Sequence, residues 1–160
     1  MSARTPQRDA IEEMARALLE DCCPEELPFL PFIADMDLTP DGTLAAPGRE
    51  RAMGAGSEVM TVSSAVICVS HAVFAFLCRE TLAATQNEAR GKIAAFVHRL
   101  FSRDDRAAPP TAPPVTLSAA QLVEVRDIVR RECVRSRLSP ERSERVSNAV
   151  VAALATEHQP

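Results

Sequence analysis

The stretch VMTVSSAVICVSHAVFAFLC, residues 59–78, decides how this chain folds. Its twenty residues carry no formal charge when His71 is neutral. A helix of roughly 20 apolar residues is long enough to cross the hydrocarbon core of a bilayer. A helix that is apolar on all sides is also typical of the centre of a soluble bundle. We therefore expect one apolar helix here, with the rest of the chain organised around it.

The first interpretation of residues 59–78 is a membrane helix. Its apolar side chains favour insertion by about 3–5 kcal/mol in total, while its serines and His71 oppose insertion, so the net free energy is near zero. Such a helix is expected to insert together with others and to share its polar face with them. The predicted membrane or oligomer face comprises Ser63, Ser64, Val66, Ile67, Ser70, His71 and Phe74.

The charge distribution gives this membrane helix a predicted orientation. Residues 1–58 carry five arginines against twelve acids, a net charge of −7, whereas residues 59–160 carry thirteen bases against ten acids, a net charge of +3. Basic flanks favour the cytoplasmic side, so the C-terminus is predicted to be cytoplasmic, and the basic face made by Lys92, Arg99 and Arg103 is predicted to lie on the anionic leaflet. The acidic N-terminal part would then have to cross without a recognisable signal peptide, which counts against constitutive spanning.

The second interpretation makes residues 59–78 the buried core helix of a soluble, cytoplasmic bundle. Other helices must then cover it, and the remaining sequence offers only short apolar stripes for that purpose. Self-association could supply the missing cover. The function would then be that of an adaptor or of a homo-oligomeric assembly subunit.

The remaining sequence predicts helices and no strands, so the predicted fold class is all-α. Residues 1–42 form an acidic N-terminal segment, in which Thr5 and Pro6 begin an amphipathic helix with apolar residues at Ile11, Met14, Leu18, Leu19 and Cys22. Pro28 and Pro31 predict irregular packing of the next apolar segment, LPFLPFIADM, which could equally be a docking strip for a partner. Residues 43–57, rich in Gly and Pro, are a predicted linker.

Two further units complete the predicted organisation. No proline occurs between the predicted N-cap Ser57 and residue 109, so one long central helix is predicted over residues 58–102, apolar at first and then amphipathic. A Pro-rich linker at 103–115 leads to a helical hairpin at 116–157. Ser118 and Gln121 form a capping box there, and Ser139 caps the second helix. The predicted hairpin core is Leu122, Val125, Val129, Val146, Val150 and Leu154.

Two motifs around Asp37 resemble functional sites but lack essential parts. Asp35, Asp37 and Thr39 match the D-x-D-x-T pattern of haloacid-dehalogenase-type phosphatases, yet the supporting sheet, lysine and metal-binding acids are missing. From Asp37 onward the sequence also matches the first half of an EF-hand loop. The twelfth position, which should be glutamate, is Gly48. A polar turn ending at Gly42 is the simpler prediction.

The cysteine, histidine and arginine patterns predict no reactive or nucleic-acid site. Cys68, His71 and Cys78 share a helix face, but structural metal sites usually need four ligands. Ser63, Ser64 and Ser70 near His71 have no glycine elbow or oxyanion turn. The arginine-rich stretch 126–145 has too little excess charge, and no aromatic residue follows Phe101 to stack on bases.

The sequence therefore predicts a non-enzymatic helical protein without metal, cofactor or small-molecule substrate. Its predicted partners are membrane lipid, through residues 59–78, and a protein partner or a second copy, through its helical faces. The alternative is the soluble adaptor or assembly subunit described above.

Overall fold

The computed structural model describes residues 3–44, 62–81, 85–102 and 115–156. Within these ranges the chain is all-α, as predicted, and consists of a 3₁₀ helix (Pro24–Phe29) and the α-helices α1 (Pro6–Cys22), α2 (Leu30–Asp37), α3 (Val62–Glu80), α4 (Gln86–Phe101), α5 (Ala119–Arg135) and α6 (Pro140–Thr156). Except for residues 43, 44 and 115, the two predicted linkers lie outside the described ranges. The predicted cap at Ser57 also lies outside them.

The apolar helix α3 lies at the centre of the bundle, where α1, α2, α4 and α5 pack against it. Only three of its residues are exposed, Ala75, Arg79 and Glu80. Among the described helices α3 alone is long and apolar enough to cross a membrane, but 61 % of its apolar window is buried inside the protein. Neighbouring helices therefore already give most of its apolar side chains a non-aqueous environment.

The prediction of one continuous helix over residues 58–102 was wrong. The described part of this region forms two helices, and α4 packs back against α3. The Thr85 hydroxyl accepts a hydrogen bond from the Glu88 N–H at 3.1 Å, so Thr85 begins α4 as an N-cap. A continuous rod would leave the apolar stripe of α4 without a partner. The break allows Ile93, Phe96 and Val97 to be buried against the rest of the core.

The segment after α1 is more regular than its prolines predicted. We expected irregular packing, but residues 24–29 form a 3₁₀ helix and residues 30–37 form α2. Pro31 lies in the first turn of α2, where a backbone N–H has no partner within the helix, so proline is tolerated there. Pro28 lies within the 3₁₀ helix, so the departure from α-helical geometry is limited to that short element.

The C-terminal hairpin contains the predicted caps and docks onto the core. Ser118 and Gln121 form both hydrogen bonds of the capping box, and the Arg142 N–H donates to Ser139 Oγ at 3.3 Å. α5 packs on α3, and α6 packs on α1 and α5. Five of the six predicted core residues are buried, whereas Leu122 is half-buried. The hairpin is thus covered mainly by α3 and α1 rather than by the 93–101 stripe.

A tight turn after α2 attaches the end of that helix to α1. The Gly42 N–H donates to the Thr39 carbonyl at 2.9 Å, and the Thr5 N–H donates to the Pro40 carbonyl at 3.3 Å. Gly42 has a φ of +85°, which side-chain-bearing residues rarely adopt. A Cβ at Gly42 would lie 2.9 Å from the Arg8 backbone nitrogen. Glycine is therefore required here by both conformation and space.

Replacing Gly42 with alanine is expected to destabilise the protein by about 2–3 kcal/mol, because strain at positive φ adds to the collision with α1. The matched control is Gly91→Ala in α4. A Cβ at Gly91 would meet nothing within 4 Å, so alanine there should raise stability by about 0.5–1 kcal/mol. Urea unfolding followed by circular dichroism measures both changes. Equal effects of the two substitutions would contradict the geometry of the turn.

Candidate interaction surface

α2 has one buried face and one exposed apolar face. Leu30, at 1 % exposure, and Ala34, fully buried, belong to the core, and α2 packs against α3. On the opposite face Phe32 is 67 % exposed and Met36 is 51 % exposed, and Phe29, the last residue of the 3₁₀ helix and the N-cap of α2, is 60 % exposed beside them. These three residues, spaced i, i+3 and i+7, form one helical row, which we call the α2 stripe.

The N-terminal end of the α2 stripe is fixed to the start of α3. The N–H groups of Val62 and Ser63 donate to the Glu26 carboxylate at 3.2 and 2.8 Å, and the Ser63 hydroxyl donates to it at 2.7 Å. The first N–H groups of a helix have no partner within the helix and favour a negative charge. Glu26 thus supplies a cap from outside α3 and holds the 3₁₀ helix against it.

The C-terminal end of the stripe is fixed by buried polar contacts. Asp37, 3 % exposed, accepts a hydrogen bond from the Ser64 hydroxyl. Arg8, 4 % exposed, donates from Nε to Glu12 at 3.0 Å, from Nη1 to the Leu38 carbonyl at 3.1 Å, and from Nη2 to Asp35. Arg8 was not among the predicted site residues, although its i, i+4 spacing from Glu12 is a recognisable ion-pair signal. The stripe therefore lies on a well-anchored helix.

The surroundings of the stripe are acidic. Residues 17–44 contain seven acidic residues and no lysine or arginine. Asp35 is paired with Arg8 and with Arg4, which lies 3.5 Å away. A hydrogen bond from its own backbone N–H, with smaller contributions from Cys23 and Arg142, lowers the pKa of the Glu25 carboxyl, so this exposed group is ionised at neutral pH. An exposed carboxylate therefore lies close in sequence to Phe29.

The residues predicted as a membrane or oligomer face lie inside the bundle. Ser63 and Ser64 are bound to Glu26 and Asp37 rather than to another helix of the same kind. Their apolar neighbours and Ser70 are at most 1 % exposed, namely Val66, Ile67, Ser70 and Phe74. His71 is half-buried, and burial lowers the pKa of its imidazole, which favours the neutral form. The predicted face therefore lies against α2, the 3₁₀ helix and the core of the bundle.

The two described residues of the predicted basic face belong to α4. Lys92 pairs with Glu88 at 2.9 Å, and the Arg99 guanidinium lies over the Phe96 ring, 5.6 Å from its centroid. Arg103 lies outside the described residues. These contacts engage both cationic side chains within α4 itself.

The sequence motifs around Asp37 do not form a catalytic or calcium-binding arrangement in the described part. Residues 30–37 form a helix instead of the strand that the phosphatase pattern requires. Asp35 is bound by arginines, whereas Asp37 is buried against Ser64. The turn predicted at Gly42 is present, closed by a backbone bond to Thr39 and by a bridge between Leu38 and Leu44. The candidate twelfth ligand position, residue 48, lies outside the described residues.

A cleft of about 600 Å³ lies between α3 and the start of α4. His71, Cys78, Arg79 and Arg90 line it. Burial raises the pKa of the Cys78 thiol to about 11, so it stays protonated and is a poor nucleophile. Arg79 lies 3.6 Å from Glu124. In the described part of the chain, no three or more His, Cys, Asp or Glu side chains are arranged to hold a metal ion.

The α2 stripe is the largest grouping of exposed apolar side chains among the described residues. The other large exposed apolar residues are Leu44 and two valines of α5, Val123 and Val134, which are separated by three helical turns. No protein family, curated protein or solved structure matches this chain. Its function has to be inferred from the surfaces that its own residues create.

Proposed function

We propose that this chain is a non-enzymatic, soluble helical binding module that docks a protein partner on the α2 stripe and uses α3 as its core. The observation that carries the proposal is the distribution of phenylalanine. The chain has six phenylalanines and no tryptophan or tyrosine. Four are buried, at 1–8 % exposure, and the two exposed ones, Phe29 and Phe32, are neighbours on one helix row beside Met36.

An exposed aromatic row of this kind favours binding over a purely structural role. Scattered surface apolar residues are ordinary, but contiguous patches mark interaction sites, and Phe and Met are enriched in the centres of protein interfaces. Full burial of an exposed side chain of this size is worth about 1.5–3 kcal/mol, and because these three are still 51–67 % exposed, roughly half to two thirds of that gain remains available. The row is held at both ends, so a partner would meet a preorganised surface.

The soluble interpretation of α3 is supported by the helices that cover it. Moving α3 into lipid would remove the apolar cover of α1, α4 and α5 and expose their buried faces to water. It would also break the contacts of Glu26 and Asp37 with the first turn of α3. The length and composition of α3 favour the membrane interpretation, but those two properties are shared by core helices.

The proposal predicts that a photo-crosslinking amino acid at position 32 captures a protein. Benzoylphenylalanine in place of Phe32, introduced in the cells that naturally express the chain, should give a discrete adduct of higher mass after irradiation. The same residue at Val123, which is 60 % exposed against 67 % for Phe32, is the matched control and should give no such adduct. Adducts at both positions, or at neither, would contradict docking on the α2 stripe.

A further inference from the structure

We infer that the occupant of the α2 stripe is a single amphipathic helix whose apolar face is flanked by lysine or arginine. This inference rests on the proposed function, because it assigns a partner chemistry to the same surface. Three properties of the surface carry it: its secondary structure, its area and its charge.

The stripe is a helical row, which favours a helix as the occupant. Its spacing of i, i+3 and i+7 forms a ridge that fits the groove between apolar residues of a second helix. Addition of a strand would need an exposed sheet edge. Between residues 3 and 44 the described backbone offers only the isolated bridge between Leu38 and Leu44.

The area of the stripe favours one short helix over a second copy of the whole chain. Phe29 and Phe32 together expose on the order of 250 Å². A stable dimer of folded chains typically buries about 800 Å² on each partner. The stripe therefore fits a few turns of one helix.

The charge around the stripe selects a basic partner. Three acids near the stripe are exposed, namely Glu25, Asp35 and Asp41, whereas Glu12 and Asp37 are buried and the Glu26 carboxylate is bonded to the start of α3. Two exposed arginines act on these acids, Arg4 on Asp35 and Arg142 on Glu25, so three exposed acids and two exposed arginines leave a local net charge of −1. A second copy meeting this surface through the same face would place like charges together, and an anionic membrane would repel it. Basic residues beside an apolar helix face would instead be attracted.

Two synthetic peptides test the inference against the full chain. Both carry the same leucine face with one tryptophan, flanked by lysine in the first peptide and by glutamate in the second. Because the chain itself has no tryptophan, the peptide's fluorescence reports binding directly. We expect the lysine peptide to bind with a Kd on the order of 1–10 µM and to weaken several-fold when salt rises from about 0.05 to 0.5 M. The glutamate peptide should bind at least about tenfold more weakly.

Matched variants show whether binding occurs at the stripe. Phe32→Ser should weaken binding of the lysine peptide about tenfold or more, whereas Val134→Ser, at a 75 % exposed apolar position on α5, should leave it unchanged. Both side chains are mainly exposed, so neither change should alter the melting temperature. Equal weakening by both variants would show non-specific attraction and overturn the inference.

The remaining outcomes separate the inference from the proposed function. Equal binding of both peptides, lost in Phe32→Ser, would overturn the basic partner but retain the stripe as a docking surface. If neither peptide binds but a discrete crosslink forms at position 32, the basic partner is likewise overturned and the stripe is retained as a docking surface. Phe32-dependent binding to vesicles of anionic lipid, or a Phe32-dependent dimer in sedimentation, would overturn both and assign the stripe to a membrane or to a second copy.

Discussion

Replacing Val66 with arginine is expected to abolish cooperative folding. Val66 is fully buried in α3, the helix that most of the bundle surrounds. Arginine there would be larger than the site and would carry a charge with no partner provided for it. Such substitutions cost more than about 4–5 kcal/mol, which is comparable to the whole stability of many domains. Thermal denaturation followed by circular dichroism should show a broad or absent transition.

The matched control is Ala75→Arg, which adds the same side chain to the same helix at an exposed position. We expect its melting curve to resemble that of the unmodified protein. Both positions lie within residues 59–78, so in the membrane interpretation either arginine should reduce membrane association. In the bundle interpretation the unmodified protein stays in the supernatant without detergent, and only Val66→Arg has a large effect. A folded, soluble Val66→Arg variant would show that α3 is not the core.

The features that were predictable from sequence are those encoded within a few consecutive residues. The caps at Thr5 and Ser118 accept the hydrogen bonds expected of them, because a cap depends only on residues within one turn. The amphipathic stripe of α1 and the core of the hairpin were predictable for the same reason, since both follow from a period of 3.6 residues. Helix content was thus accessible without any knowledge of long-range contacts.

The features that were not predictable depend on how helices pack. The absence of proline and glycine indicated one helix through residues 82–84, but α3 ends at Glu80 and α4 begins at Gln86, and the two separate helices bury the apolar stripes of both. The signal available was Thr85 with Glu88, which has the spacing of a capping box. Because the packing partner of residues 93–101 was unknown, the local pattern did not favour two helices over one continuous helix.

The candidate surface was foreseen only in part. The Pro-rich apolar segment was predicted as an alternative docking strip, but its pattern does not show which of its apolar residues face outward. The packing of α2 against α3 determines it, because Leu30 and Ala34 are buried there and Phe29 and Phe32 stay exposed. The partners of the serines predicted on an oligomer face also depend on packing. Their hydroxyls bind carboxylates some 27–37 residues earlier in the chain, which no local pattern reveals.

The second large prediction concerns Glu26, which connects the 3₁₀ helix before α2 to the start of α3. Its carboxylate receives three hydrogen bonds from the first two described residues of α3. Glu26→Ala would leave those donors without their acceptor and remove a negative charge from a helix N-terminus. Bonds to a charged group are each worth about 1.5–3 kcal/mol, and partial access of water reduces the sum. We expect a loss of about 2–4 kcal/mol.

Three further variants give this prediction its controls. Glu26→Gln keeps an acceptor oxygen but not the charge, so it should fall between the unmodified protein and Glu26→Ala. Glu25→Ala, at the exposed neighbouring acid, should leave the melting temperature almost unchanged. In a double-mutant cycle with Ser63→Ala, the two losses should be less than additive by about 1 kcal/mol, because both remove the same 2.7 Å bond. Strictly additive losses would mean that Glu26 and Ser63 do not interact. A melting temperature of Glu26→Ala equal to that of the unmodified protein would mean that α3 begins without this cap.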